Sequence, residues 1–286
     1  MLRSNADYLT AQIAKILAYL AGIVVFLVFG FVCLEAVSAL GAIGWSQFVT
    51  DDMWLPTADK FYLLSMLAAT IVSTIGAIII ATPLGIGCAL FSRHWATPGV
   101  AMWFRRLVEL LAGIPSVVYG LWGLVVLVPL LAEFRSPGSS LLAGILVLAV
   151  MILPTVALLA DTAIGAVPVT YIRGVAALGV GKFTTMMRIV LPTARAGIAT
   201  GVLLATGRAL GETMAVLMVC GNVIQMPFEL LDPVRTLTAN IALEMGYATA
   251  FHRSALFVCG LVLMLLVGAL VLIAQESTVN EQTQAG

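Results

Sequence analysis

Six runs of about 20 or more predominantly apolar residues divide this 286-residue sequence, and each is long enough to cross a bilayer as a helix. They lie at about 16–42, 62–91, 107–131, 140–160, 196–222 and 254–274. Mean hydropathy is +1.11, and 10% of the residues are charged, against about 25% in soluble domains. The sequence therefore predicts an all-α membrane protein with six transmembrane helices, and it excludes disordered, collagen-like and disulfide-stapled chains and nearly all soluble enzymes.

The distribution of Lys and Arg between the short loops predicts the orientation of these helices. With a cytoplasmic N-terminus, nine basic residues lie inside and four lie outside. The inner set is Arg3, Lys15, Arg93, Arg105, Arg106, Arg173, Lys182, Arg188 and Arg195, and the outer set is Lys60, Arg135, Arg235 and Arg253. We therefore expect both termini in the cytoplasm. The first apolar run is longer than the about 7–15 residues of a signal peptide, so we expect a retained anchor.

The chain is expected to comprise three parts: an anchor helix with the first extracytoplasmic loop (1–60), a transmembrane domain (61–275) and a cytoplasmic tail (276–286). Within the domain, a long cytoplasmic loop at about 161–195 mixes small, apolar and basic residues. That composition is typical of short amphipathic helices at a membrane surface or against a partner. The segment 223–253 is too polar to span and too apolar for a free loop, so we expect it to dip into the outer mouth of the bundle or to cap it.

Two charged residues lie deep in the fifth run, in the string GRALGETMAV. Arg208 follows the approximate inner start of that run by twelve residues, or about 18 Å of helix, which is near the middle of a ~30 Å core. Glu212 is four residues further and so shares its helical face. Because a charge facing lipid is costly, the pair should face the bundle interior or a water-filled route. It is either an ion pair that fixes helix packing or a translocation site, in which Arg208 attracts an oxyanion and Glu212 moderates its grip.

Small and hydroxyl-bearing residues accompany this pair. Four glycines form a ridge along the fifth run that would let another helix approach closely: Gly197, Gly201, Gly207 and Gly211. The third run holds GIPSVVYGLWG, where Pro115 allows an irregular helix. Ser116 and Tyr119 could offer hydroxyl donors to an anion there, or the string could be a kinked packing helix.

The chain offers little material for catalysis or cofactor binding. It has two histidines, and its four cysteines lie inside apolar runs without metal-ligand spacing. The string GVAALGVGKFT has Ala176 where a phosphate-binding loop needs glycine, and Phe183 follows Lys182. We therefore expect no cofactor in this chain, and ATP, if it drives anything, to be bound by another subunit. With zero net charge, nucleic acid is not an expected partner. An intramembrane enzyme and a membrane scaffold are the alternatives from other classes.

Four strings in the chain carry a resemblance to a known family. The stretch from Gly174 to Pro192, with Gly179 and the closing IVLP, resembles the cytoplasmic coupling loop of ABC importer permeases. GIPSVVYGLWG, GRALGETMAV and LTANIALEMG, in that order, are similar to the PstC-type permease of phosphate-specific importers. The resemblance covers about residues 60–275.

This resemblance implies a type I ABC importer permease in the bacterial inner (cytoplasmic) membrane, itself not an enzyme, that moves inorganic phosphate by alternating access. It implies a PstA-type sister permease, two PstB-type ATPase subunits that bind ATP and Mg, and an extracytoplasmic PstS-type phosphate-binding protein, all in contact with membrane lipid. A permease for sulfate, molybdate or phosphonate is the alternative within transporters.

The resemblance also implies roles for individual residues. Arg208 and Glu212 match the charged pair implicated in phosphate passage, and Gly179 matches the loop glycine at the ATPase dock. The coupling loop residues that we assign on this basis are Arg173, Gly174, Ala177, Gly179, Lys182 and Pro192. Arg173-Gly174-Val175 stands where the family pattern has Glu-Ala-Ala, so this chain departs from the family at Arg173.

Overall fold

The computed structural model describes residues 2–51 and 53–284, with side chains described except at 2–6, 42, 250 and 274–284. Its regular elements are helical. They are α1 (Leu2–Ile43), α2 (Trp45–Thr50), α3 (Leu64–Leu90), α4 (Pro98–Gly113), α5 (Ser116–Ala132), α6 (Leu141–Gly165), α7 (Val169–Ala177), α8 (Lys182–Leu210), α9 (Met214–Val219), α10 (Leu237–Glu244) and α11 (Ala250–Gln284). Turns of π-helix extend α3 to Trp95 and interrupt α5 at Gly123–Leu127 and α8 at Met186–Val190.

Five helices in the described ranges are long and apolar enough to cross a membrane, namely α1, α3, α6, α8 and α11. The pair α4 and α5 passes the same test only together, as one broken span. The all-α fold is thus confirmed, and the six predicted spans are found when the broken pair counts as one. The predicted tail, 276–286, continues α11 up to Gln284, and 285–286 lie outside the described residues.

The third predicted span, 107–131, is wrong as a continuous helix. The axes of α4 and α5 differ by 94° across a short break at Ile114 and Pro115. Ile114 is extended, with φ −68° and ψ 130°. The cause is Pro115, which lacks an N–H and disfavours the helical conformation of the residue before it.

The fifth predicted span, 196–222, is wrong at both ends, because α8 begins at Lys182 and ends at Leu210. The early start has a packing cause. Three side chains at helical spacing, Met186, Val190 and Ala194, are buried against the ends of α3 and α6, so the helix continues below the apolar run.

The long loop predicted at 161–195 is correspondingly shorter. α6 runs on to Gly165 and α8 starts at Lys182, so only 166–181 lies between them. The short helix expected there is present as α7, Val169–Ala177, and none of its residues is buried. This segment therefore joins the ends of two spans directly and exposes its surface.

The core is built from α3, α6 and α8. α3 and α6 run parallel and close together, since a Cβ at Gly76 would lie 2.8 Å from the side chain of Ile145, and one at Gly85 would lie 2.8 Å from that of Val156. α8 packs antiparallel to α6, with Gly201 against Leu159. These glycines let the three backbones approach closely, and α6 forms the buried centre of the bundle.

The segment 223–253 dips into the bundle. Its helix α10, Leu237–Glu244, is largely buried and begins at the N-cap Thr236, whose hydroxyl accepts a hydrogen bond from Ala239 N–H at 3.3 Å. Its first backbone N–H donates to Thr70 Oγ1 of α3 at 3.0 Å. Of the two expectations for this segment, the structure supports dipping into the bundle rather than capping it.

Candidate functional site

A break in the fifth span lies directly after Arg208. α8 ends at Leu210, Gly211 caps it, and α9 starts three residues later at Met214. Gly207 and Gly211 are poor helix formers on the same turn, which favours an end to the helix there. Arg208 thus lies in the last turn of α8 rather than in the middle of a continuous helix.

Arg208 nevertheless reaches the middle depth of the bundle. Its Nη1 donates a hydrogen bond to Thr155 Oγ1 at 3.2 Å. Thr155 lies in the central part of α6, the most deeply buried of the candidate spans. The predicted depth of Arg208 therefore agrees with the structure, and its side chain is half-buried rather than sealed.

The guanidinium of Arg208 has unused hydrogen-bonding capacity. It carries five N–H donors, and its one hydrogen bond to a described side chain is the bond to the neutral hydroxyl of Thr155. No carboxylate of the described residues forms an ion pair with it. Other arginines of the described residues do have such partners, among them Arg93, Arg105, Arg135 and Arg235. A half-buried guanidinium without a counter-ion is suited to receive an anion.

Glu212 does not neutralise Arg208. Its Oε1 accepts a hydrogen bond from the backbone N–H of Ala215 at 3.0 Å, and this bond satisfies an N–H in the first turn of α9. Its own carbonyl oxygen accepts the hydroxyl of Thr238 at 2.7 Å. The prediction that the two residues share one helical face is wrong, because the helix ends at Leu210 between them, and of the two alternatives the ion pair is not formed among the described residues. Glu212 stabilises the break through its bond to the Ala215 N–H, and it follows Arg208 by only four residues.

Tyr119 and Ser116 lie at the other break. Tyr119 is buried, and its hydroxyl donates to the carbonyl oxygen of Leu111 at 2.7 Å, which bridges the bend between α4 and α5. Ser116 is the first residue of α5 and is partly exposed. The Tyr119 hydroxyl thus donates its proton to the bend, whereas the Ser116 hydroxyl forms no hydrogen bond to a described group.

The two breaks lie side by side. A Cβ at Gly120 of α5 would lie 2.8 Å from the Cα of Ala215 in α9, so these helices are in direct contact. A cavity of about 270 Å³ opens beside α5, lined by Ile114, Val118, Tyr119, Trp122 and Val150. Interrupted helices at the middle of a bundle are typical of transport sites, where irregular backbone lines a cavity.

The residues assigned to the coupling loop all lie on an exposed surface. They are Arg173, Gly174, Ala177, Gly179, Lys182 and Pro192. Gly179 has φ +75°, a conformation that residues with a side chain rarely adopt. Next to it Leu178 is 81% exposed. A groove of about 610 Å³ between α7 and α8 includes Gly174, Arg188 and Pro192. This exposed apolar surface fits a docking site for another subunit.

Two clusters of charged residues, around Asp161 and Glu244, were not predicted from the sequence. Asp161, expected only to mark a span end, accepts hydrogen bonds from Arg93 Nε at 2.7 Å and Nη2 at 3.0 Å, and Arg105 Nη2 lies 3.2 Å from its Oδ2. Glu244 is buried among donors from three other chain segments. The partners of Asp161 lie 56 and 68 residues away, and Trp54 lies 190 residues from Glu244, so no local spacing brings either cluster together.

Comparison with known proteins gives consistent similarities. A family described as "Binding-protein-dependent transport system inner membrane component" matches residues 81–278. The chain is 34% identical over 302 residues to the phosphate transport system permease protein PstC of Xylella fastidiosa, covering 95% of this chain and 90% of that protein. It is 39% identical over 226 residues to the probable ABC transporter permease protein YqgH of Bacillus subtilis, covering 77% and 73%.

A solved structure shares the fold. It is a crystal structure of a bacterial ABC transporter involved in the import of the acidic polysaccharide alginate, and one of its chains matches with a TM-score of 0.60. The match covers 89% of this chain and 96% of that one at 13% identity. At this identity the likeness concerns the fold alone.

Proposed function

Since the chain belongs to the family of binding-protein-dependent transport system inner membrane components, we propose that it is a permease subunit of an ATP-driven importer of inorganic phosphate. Two kinds of observation support the substrate. Relatives that align over most of the chain are named phosphate transport system permease protein PstC. The mid-depth guanidinium of Arg208 has the charge and fork geometry that tetrahedral oxyanions need.

The main support for the proposal is that Arg208 has no carboxylate partner among the described residues. A fixed carboxylate partner would compete with an incoming anion, and the described residues supply none. Thr155 orients the guanidinium through one weak bond to a hydroxyl. A transport site must bind its ion firmly enough to admit it and loosely enough to release it. One guanidinium at this position meets both needs, and a second permease would supply the other half of the site.

The open side of α8 supports a second permease next to this site. A Cβ at Gly207 would meet nothing within 4 Å, and Leu204 one turn earlier is 58% exposed. Gly197 and Gly201, by contrast, pack on α6. We assign the open side to a PstA-type sister permease, so that Arg208 would lie between the two chains.

ATP hydrolysis belongs to partner subunits in this proposal. The exposed α7 with Leu178 and Gly179 docks a PstB-type ATPase that holds ATP and Mg, and this chain carries out no catalytic step. That assignment requires α7 to face the cytoplasm, as the distribution of Lys and Arg predicts, with both termini on the same side. A PstS-type binding protein delivers phosphate at the opposite face.

The connectivity of α7 supports alternating access. α7 lies between α6 and α8, with only short links at 166–168 and 178–181. α6 carries Thr155 and α8 carries Arg208. A displacement of α7 by the ATPases would therefore move both walls of the anion site together and change which side it faces.

Phosphate uptake by the complete complex in proteoliposomes tests the site. Arg208→Gln should lower uptake per complex by about 10- to 100-fold, since it removes a charge-assisted hydrogen bond to the anion. Arg106→Gln, at an exposed arginine of α4, is the matched control and should leave uptake unchanged. Unchanged uptake in Arg208→Gln would refute the site. Competition by sulfate, molybdate and phosphonate in the same vesicles tests the substrate, because a guanidinium alone accepts any of them.

A further inference from the structure

A buried ionic cluster surrounds Glu244, at the end of α10 that lies away from Arg208. The residue is 6% exposed. Its Oε1 accepts a hydrogen bond from Arg235 Nη1 at 2.7 Å. Its Oε2 accepts one from Trp54 Nε1 at 2.7 Å and lies 2.8 Å from His252 Nε2. We call these four residues the Glu244 cluster.

The Glu244 cluster joins four separate parts of the chain. Trp54 belongs to the segment between α2 and α3, Arg235 precedes α10, Glu244 is the last residue of α10, and His252 lies in the first turn of α11. Arg235 also donates to the backbone carbonyl of Asn222 at 3.0 Å. A buried carboxylate with one cation and two further donors is well satisfied, and any change in their number is costly. The cluster therefore fixes the far end of α10 relative to the rest of the bundle.

The near end of α10 contacts the break after Arg208. Thr238 Oγ1 donates to the carbonyl oxygen of Glu212 at 2.7 Å. α10 has eight residues and is thus a rigid connection about 12 Å long. It connects the Glu244 cluster to the backbone of Glu212, four residues beyond Arg208.

We propose that the Glu244 cluster positions the anion site. It holds α10 so that Thr238 fixes the backbone at Glu212, and this contact sets where α8 ends and where Arg208 points. Glu244 and Thr238 are positioning residues, and neither touches the anion. The inference rests on the proposed role of Arg208.

Substitutions at the two ends of α10 test this connection. Thr238→Val keeps the shape of the side chain and removes the donor to Glu212, whereas Thr238→Ser keeps the donor. Glu244→Gln keeps the shape but turns an amide N–H₂ toward one of the cluster's donors. Phosphate uptake is measured in proteoliposomes with the complete complex and saturating binding protein, and it is divided by the amount of assembled complex.

We expect Thr238→Val and Glu244→Gln each to lower uptake per complex by about fivefold, and Thr238→Ser to restore it to within about twofold of the parent. Because both residues act through one contact, the double variant should also lose about fivefold rather than about 25-fold. Thr57→Val, at an exposed threonine, is the control that should change nothing. If Glu244→Gln does not assemble, Trp54→Phe takes its place, since it removes one donor and keeps an aromatic ring.

Two results would overturn the proposal. One is unchanged uptake per complex in Thr238→Val or in the cluster variant, with only the amount of complex reduced. The other is a double variant whose losses multiply. Arg208→Gln in the same preparation separates the failures: normal uptake there refutes the anion site itself, whereas lost uptake with multiplying effects refutes only the positioning by α10.

Discussion

Single polar side chains at the breaks supply hydrogen bonds that the interrupted helices lack. A helix leaves its last four carbonyls and first four N–H groups without partners. Tyr119 donates a hydrogen bond to a carbonyl at the end of α4, and Glu212 accepts one from an N–H at the start of α9. Two of the residues that the sequence assigned to the translocation site therefore stabilise the irregular backbone. Arg208 is the one whose donors remain largely unused in the described structure.

Tyr119→Phe tests the bend between α4 and α5. The change removes the donor to Leu111 and leaves that carbonyl with a single weaker partner, the N–H of Ile114 at 3.2 Å. We expect the free energy of unfolding to fall by about 1 kcal/mol, which lowers Tm by about 2–4 °C in thermal unfolding of the purified complex. Tyr247→Phe, at an exposed tyrosine, should leave Tm unchanged. Equal Tm values for both variants would contradict the role of Tyr119.

At the scale of the elements, the glycine ridge of α8 has two different faces. A Cβ at Gly197 would lie 2.6 Å from Ala163 Cβ, and one at Gly201 would lie 2.7 Å from Leu159 Cβ. A Cβ at Gly207 would meet nothing within 4 Å. Gly197 and Gly201 therefore hold α8 against α6, and Gly207 faces away from the described residues.

Two alanine substitutions in α8 separate these faces in the chain purified alone. Gly201→Ala should lower the free energy of unfolding by about 1–3 kcal/mol, because the backbones of α6 and α8 must separate. Gly207→Ala should raise it by about 0.5–1 kcal/mol, since alanine favours the helix and meets no neighbour. Denaturant unfolding followed by helical circular dichroism measures both. A loss of stability in Gly207→Ala would show that this face is packed within the chain.

The sequence predicted continuous helices well and their interruptions poorly. Long apolar runs reveal α1, α3, α6 and α11, because crossing a bilayer requires length and hydropathy alone. The breaks at Pro115 and Gly211 lie inside apolar runs, so hydropathy does not mark them, and only Pro115 itself indicated an irregular helix. The depth of Arg208 could be predicted from its distance along the run. The Glu244 cluster could not, since Trp54 and Glu244 are 190 residues apart and meet only in the fold.

At the scale of the whole molecule, large apolar side chains are exposed at both ends of the bundle. Leu178 lies at the end of α7, and Phe134, which is 82% exposed, follows α5 at the opposite end. Neither is needed for the core, because neither belongs to a buried cluster. In the proposed importer only the end with α7 contacts the ATPases, so the two residues should differ in function although they are equally exposed.

Leu178→Asp and Phe134→Asp test this difference. Each places a charge on an exposed position, so neither should change the stability of this chain. Leu178→Asp should lower recovery of the ATPase subunits with affinity-purified permease by about tenfold or more, because a desolvated apolar contact is replaced by a charge. Phe134→Asp should leave that recovery unchanged. Loss of the ATPases in Phe134→Asp, or their full recovery in Leu178→Asp, would place the ATPase contact elsewhere and with it the direction in which α7 faces.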